Sequence, residues 1–439
     1  MKILMINHFP LAGSGSGTYT RNLAVHLAAL GHQVTVILPE NTDDFEEVPG
    51  VRLHPVFFSA ANDHGVPEAV RRASAKSSSK VPDDQNLIGS GKTMADPLPF
   101  NFPCFTTHPR STVSFGDLTE EQLEQYKAAF SCAIDDEIRR DQPDVIHGQH
   151  VWILPALAAG RGIPLILTAH GTDLMGYNRW PELRKYADLA MYDCFSVISI
   201  SKDNCELIRE LFPYAADKIV MMRNGYDPTI FYPEKDGRTE VLSSYGISEE
   251  EQKGRRIICF AGKLAHFKGV DVLLEALRLI DDQSASGAPG VFTIIAGDGE
   301  ERDALRKEVG ELALKHVRFI GNVDSQALRK LYNIADVSVV PSRREPFGLV
   351  ALEAMACGTP VIASDQGGLP DFVNDSVGGL AKPEDPEDLA SELLSVIERA
   401  DEEGSGWRKT IAEYARTHYA QDTIIRELDT LYKASIQDR

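Results

Sequence analysis

The chain has 439 residues, 43% of them hydrophobic and 25% charged, which excludes disorder as the main state and fits two to three globular domains at about 150 residues each. Lys and Arg total 45 against 65 Asp and Glu, a formal charge of -20, and acidic residues outnumber basic ones in both halves, so nucleic acid is not expected as a partner. Six cysteines (Cys104, Cys132, Cys194, Cys205, Cys259 and Cys357) contain no C-x-x-C pair and fit neither a zinc ribbon nor a disulfide framework; with no apolar run approaching about 18 residues, the expected setting is cytoplasmic.

In chain order, short apolar and β-branched runs alternate with helical stretches, the pattern of parallel sheets covered by helices on both faces. The first half carries such runs at 2–6, 33–38, 51–57, 144–147, 164–168, 196–200 and 219–222. After the first run comes a glycine loop, Gly13-Ser14-Gly15-Ser16-Gly17-Thr18. With Glu40 ending the second strand it suggests a dinucleotide-binding unit, but Thr18 occupies the place of the third glycine, so a nicotinamide oxidoreductase is a weak rival. Between 69 and 115 the rhythm fails and an irregular insert is expected. Its Gly89-Ser90-Gly91-Lys92-Thr93 resembles the end of a Walker A motif, yet Asn86 stands where that motif needs glycine. Arg71, Arg72, Lys76 and Lys80 in the same insert leave two readings, a solvated loop or weak peripheral contact with lipid headgroups or an anionic acceptor.

Turn formers cluster from Arg223-Asn224-Gly225 to Pro233, where a domain boundary is expected. The division predicted is 1–225 for a first domain, 226–415 for a second and 416–439 for a terminal helix packing back on the first, with a crevice between the domains. In the second half the runs resume at 257–262, 292–296, 317–320, 337–341 and 360–363.

Two segments of the second half carry the chemistry. Cys259-Phe260-Ala261-Gly262-Lys263-Leu264-Ala265-His266-Phe267-Lys268-Gly269 ends a strand and opens a helix, placing two lysines at one mouth, as a diphosphate would require in so acidic a chain. Glu345-Pro346-Phe347-Gly348-Leu349-Val350 follows another strand and leads into a helix that carries Glu353 about two turns in. Helix N–H groups and the positive dipole end invite an anion there, and the two carboxylates can accept hydrogen bonds from sugar or ribose hydroxyls. In the first half Thr168-Ala169-His170-Gly171-Thr172-Asp173 follows a strand. His147 and His150 end the strand before it, so a three-histidine metal site can be imagined; strand-end histidines more commonly serve as hydrogen-bonding groups, and no metal is assigned.

Glu345-x7-Glu353, Gly262-Lys263-Leu264, Lys268-Gly269 and Gly367-Gly368-Leu369-Pro370, together with the glycine loop, Leu30-Gly31-His32 and Asn224-Gly225-Tyr226-Asp227 followed by Phe231-x-Pro233, resemble the retaining glycosyltransferases of family 4 over nearly the whole chain. The resemblance implies an α/β chain of GT-B fold, two Rossmann-like domains facing across a crevice, that moves a sugar from a nucleoside diphosphate sugar, a UDP-sugar being favoured, to a hydroxyl acceptor whose identity stays open. It implies that Glu353 holds the ribose, that Glu345 with the amides near Phe347, Gly348 and Leu349 holds the sugar and distal phosphate, and that Lys263 and Lys268 neutralise the leaving diphosphate. Lys263 stands where family members usually carry Arg, and Asp371 where they often carry Glu. Val323 matches the stretch lining the base, Gly15 and Gly17 belong to the donor-facing glycine loop, and His170 matches the histidine placed against the reacting sugar. No cofactor and no metal are implied, since lysines take the metal's place. A GT-B epimerase or a noncatalytic sugar-nucleotide binder is the alternative, which activity toward an added acceptor would exclude.

Overall fold

The computed structural model describes residues 1–42, 45–60, 97–106, 108–235, 237–284 and 290–437. The Walker-like segment and the basic cluster of the insert lie outside the described residues. The chain forms two compact units, the first comprising Met1–Ser199, Leu207–Val220 and Leu428–Arg439, the second Ile200–Glu206 and Met221–Glu427.

The first unit is built on seven strands, β1 (Lys2–Ile6), β2 (Gln33–Glu40), β3 (Val51–Phe57), β4 (Val145–Gln149), β5 (Leu165–Ala169), β6 (Ser196–Ser199) and β7 (Ile219–Met221), in the order β3-β2-β1-β4-β5-β6-β7. The pairs β2–β3, β1–β2, β1–β4, β4–β5 and β5–β6 are parallel. Central strands are buried on both faces and so read as unbroken apolar runs such as Ile3-Leu4-Met5-Ile6. β3 can carry Pro55, which donates no ladder bond, because it lies at the edge of the sheet.

The second unit holds six parallel strands, β8 (Arg255–Ala261), β9 (Gly290–Ala296), β10 (Val317–Gly321), β11 (Val337–Val340), β12 (Val361–Ser364) and β13 (Gly378–Ala381), in the order β10-β9-β8-β11-β12-β13. β13, Gly-Gly-Leu-Ala, has no sequence signal of its own. The helix Leu349–Ala356 is capped by Gly348, so Glu353 is its fifth residue, a little over one turn in rather than two. The helical run Pro386–Tyr419 breaks at Gly404, whose φ is 56°.

Each sheet has one point where the winding reverses, between β1 and β4 in the first unit and between β8 and β11 in the second. Loops leaving the carboxyl ends of those strands are where open α/β sheets bind ligands. In the described part of the expected insert, Phe100, Phe102, Cys104, Phe105 and Phe115 are all buried in the first core. Among the described residues no helix is long and apolar enough to cross a membrane.

Candidate active site

At the reversal point of the second unit, the loop after β8 carries Lys263 and Lys268, and the loop after β11 carries Glu345. Lys268 Nζ donates to Glu345 Oε2 at 2.6 Å, and the Ser342 hydroxyl donates to the same oxygen at 3.4 Å. Glu345 is 8% exposed, so this is a largely desolvated ion pair, whose partners cost stability if separated without replacement. Lys263 meets Glu300 at 3.1 Å with both side chains well exposed, a contact of small energetic worth.

The loops are locked to each other by close approach of backbone. A Cβ on Gly269 would lie 2.0 Å from the Pro341 carbonyl oxygen, and one on Gly367 would lie 2.1 Å from that of Glu345. Any larger residue would push apart the lysine-bearing and glutamate-bearing loops, or the Gly-Gly-Leu-Pro loop that supports them. Arg343 adds a clamp: it is bidentate to Asp271 at 2.8 and 2.7 Å, donates to the His266 carbonyl at 2.8 Å and reaches Glu384 at 2.5 Å. That clamp was not foreseen, because its partners are 72 residues apart in sequence.

Phe347 is a core residue, stacked on Phe372 with centroids 5.2 Å apart. Its ring cannot face a ligand, and its contribution is confined to the backbone at the start of the helix Leu349–Ala356, where the first N–H groups have no intrahelical acceptor. Glu353 is partly exposed, yet burial pushes its carboxyl up to about 8. Val323 follows β10 and is half-buried against the second core. Asp371 accepts from the Lys202 amide at 2.8 Å, which ties the segment Ile200–Glu206 to the second unit.

At the reversal point of the first unit, His8 follows β1, His150 follows β4 and His170 follows β5. The rings of His150 and His170 lie 4.7 Å apart, with Tyr19 5.1 Å from His170 and His8 5.7 Å from His150. Burial lowers His8 and His170 to about 3, and His150 well below its usual value, so all are neutral near pH 7. The three histidines of the imagined metal site have other engagements: His147 bridges Tyr432 at 2.7 Å and Thr168 at 2.8 Å, His170 Nε2 meets the Gln149 side chain at 2.9 Å, and His150 Nδ1 meets the Gln149 carbonyl at 2.8 Å.

Asp173, three residues after His170, accepts from the amides of Val151 at 2.7 Å and His170 at 3.1 Å, tying the ends of β4 and β5 together. Burial raises its carboxyl to about 6 against the pull of backbone amides, that of Val151 first among them. In the glycine loop, Gly17 packs against the Pro10 carbonyl, whereas nothing stands within 4 Å of a Cβ built on exposed Gly15. Glu40 is buried and paired with Arg110 at 2.7 Å, so it is not presented to a ribose as a dinucleotide-binding unit would require.

Comparison with known proteins places the chain in one family. Residues 247–418 match the model for glycosyl transferases group 1, and residues 109–230 that for glycosyltransferase family 4. An uncharacterized glycosyltransferase of Methanocaldococcus jannaschii is 30% identical over 68% of this chain and 77% of its own. The glycogen synthase of Mycobacterium tuberculosis is 28% identical over 91% and 86%. The structure of Anabaena HepE in complex with UDP-glucose superposes with a TM-score of 0.66 at 18% identity, over 99% of this chain and 100% of that one. With two parallel Rossmann-like sheets and with these relatives, the chain belongs to the family 4 glycosyltransferases of GT-B fold.

Proposed function

We propose that this glycosyltransferase is a retaining, metal-independent enzyme that transfers a hexosyl group from a UDP-sugar to a hydroxyl acceptor. The observation that carries the reading is the buried Lys268–Glu345 pair beside the start of the helix Leu349–Ala356. As the sugar leaves its nucleoside diphosphate, negative charge collects on the β-phosphate, and a positioned lysine with helix amides stabilises it without reorganising. Lys263 adds a second cation at the mouth, and Glu353 takes the ribose hydroxyls. The anomeric carbon–oxygen bond to phosphate breaks with its electron pair going to phosphate, the acceptor oxygen bonds to the same face of that carbon, and the acceptor proton passes to the departing phosphate. A glycosidase-like double displacement needs two carboxyl groups about 5 Å apart across the bond, whereas Glu345 is neutralised by Lys268.

In this reading the first unit forms the acceptor side with His170 against the sugar and the second holds the donor with Val323 near the base; the terminal helix expected over 416–439 spans Gln421–Gln437, and the first unit takes it up from Leu428. The UDP-glucose held by HepE supports a uridine donor, and six free cysteines suit a reducing cytoplasm. The test is slow hydrolysis of uridine, guanosine and adenosine diphosphate sugars, with NMR of the first-formed anomer. UDP-sugar turnover with retained configuration, undiminished after exhaustive chelation, is expected; an inverted anomer, or activity lost to chelation and restored by a divalent ion, contradicts the reading.

A further inference from the structure

We propose that Gln149 is the positioning residue of the first unit's site, fixing complementary tautomers on the neighbouring histidines His150 and His170 so that each offers a bare ring nitrogen to a substrate hydroxyl. The assignment of that hydroxyl to a glycosyl donor or acceptor rests on the transferase reading above; the tautomers themselves do not.

Gln149 closes β4 and is fully buried. It acts on both neighbours at once. Its backbone carbonyl accepts from His150 Nδ1 at 2.8 Å, and its side-chain Oε1 accepts from His170 Nε2 at 2.9 Å. A neutral imidazole has a single N–H. Committing it at Nδ1 leaves His150 Nε2 as an acceptor, and committing it at Nε2 leaves His170 Nδ1 as an acceptor. His150 Nε2 is a buried atom with no protein partner among the described residues, which calls for a donor from elsewhere. Burial holds both rings uncharged, so neither can supply a second N–H.

Two further features separate this from ordinary packing. His150 sits at φ 78°, a conformation that residues with a side chain seldom adopt, and its amide is anchored to the Thr168 carbonyl at 2.8 Å. The Gln149 Nε2 is itself buried without a protein partner among the described residues. An apolar side chain would fill the same space without that penalty, so what the glutamine adds is its oxygen toward His170 and an N–H pair for an incoming oxygen. Two ring acceptors beside the glutamine's amide nitrogen match a polyol. Had the amide the opposite orientation, its nitrogen would face His170 Nε2 and force the proton onto Nδ1, so the tautomer of His170 decides the matter.

The experiment is imidazole ¹⁵N spectroscopy of the full chain, with His170 assigned by its loss in His170→Gln. The parent is expected to show His170 neutral and Nε2-protonated throughout about pH 8 to 5. In Gln149→Leu the tautomer should move to a mixture, and kcat/KM for UDP-glucose hydrolysis should fall at least about tenfold. In Gln149→Glu, nearly isosteric, the carboxylate should raise the His170 titration into that pH range, and hydrolysis should recover as pH rises past it. An Nδ1-protonated His170 in the parent, or an unchanged tautomer and pH profile in the folded variants, overturns the proposal. If Gln149→Leu does not fold, Gln149→Glu decides by the same readouts. The spectra need no substrate, so a parent that turns over no nucleotide sugar defeats the donor reading alone.

Discussion

The two units place strand-end loops at the same reversal point of the same kind of sheet, yet they fill those loops with opposite chemistry. The first unit gathers neutral imidazoles among aromatic rings, with His8, His150 and His170 all kept uncharged by burial. The second gathers a lysine–glutamate ion pair and the start of a helix. The comparison teaches that the fold supplies only a location, while the residues at strand ends decide whether it suits uncharged hydroxyls or phosphate. A transferase needs both, because the group it moves is a polyol and the group it expels is an anion.

The sharpest way to break this comparison is to remove the charge. Lys268→Ala should lower donor turnover at least roughly a hundredfold, the scale of one preorganised donor aimed at developing charge, and near-normal steady-state kcat would end the diphosphate assignment. A smaller and more selective effect is expected from the two glutamates. Glu345→Gln should cut kcat on the order of tenfold or more, since the proposed function sets it beside the sugar where charge develops, whereas Glu353→Gln should mainly raise KM, because the ribose contacts proposed for it are made about equally in ground and transition states. Unchanged kcat in a folded Glu345→Gln, or unchanged UDP affinity by calorimetry in Glu353→Gln, would remove the respective role.

Acid should separate the units in stability. His8, His147 and His170 sit near 3 in the folded chain against 6.5 when free, chiefly through burial. The unfolded chain therefore takes up protons below 6.5 that the native one refuses, and stability is lost progressively from there toward 3, by about 1 kcal/mol per imidazole over the first pH unit. Glu353 has the opposite sign: raised from 4.5 to about 8, it binds its proton more tightly when folded, so its contribution improves as pH falls from 8 toward 4.5. Hydrogen exchange at about pH 6.5 and 5.5 should show β4 and β5 losing protection before β11 and β12. Equal loss in both sheets would contradict the contrast.

Much of the fold was legible because buried parallel strands write themselves as apolar runs, and observed strand ends fall within two residues of those read from sequence. β13 escaped because two glycines in a four-residue strand leave no β-branched signal. The buried aromatics from Phe100 to Phe115 escaped because irregular backbone has no period to detect. In the second unit's site, Lys263, Lys268, Glu345 and Glu353 stood out as charges at strand and helix ends. What stayed hidden was pairing: Lys268 finds Glu345 across 77 residues and His170 finds Gln149 across 21, contacts that the folded sheets alone create.

The central claim is that Lys268 belongs to the diphosphate of the donor. Calorimetric affinities of UDP and UMP for the parent and for Lys268→Ala test it most directly. The account predicts that the parent binds UDP at least about tenfold tighter than UMP, and that Lys268→Ala loses most of this preference while binding UMP almost as before. Equal preference for UDP in the two proteins would contradict it.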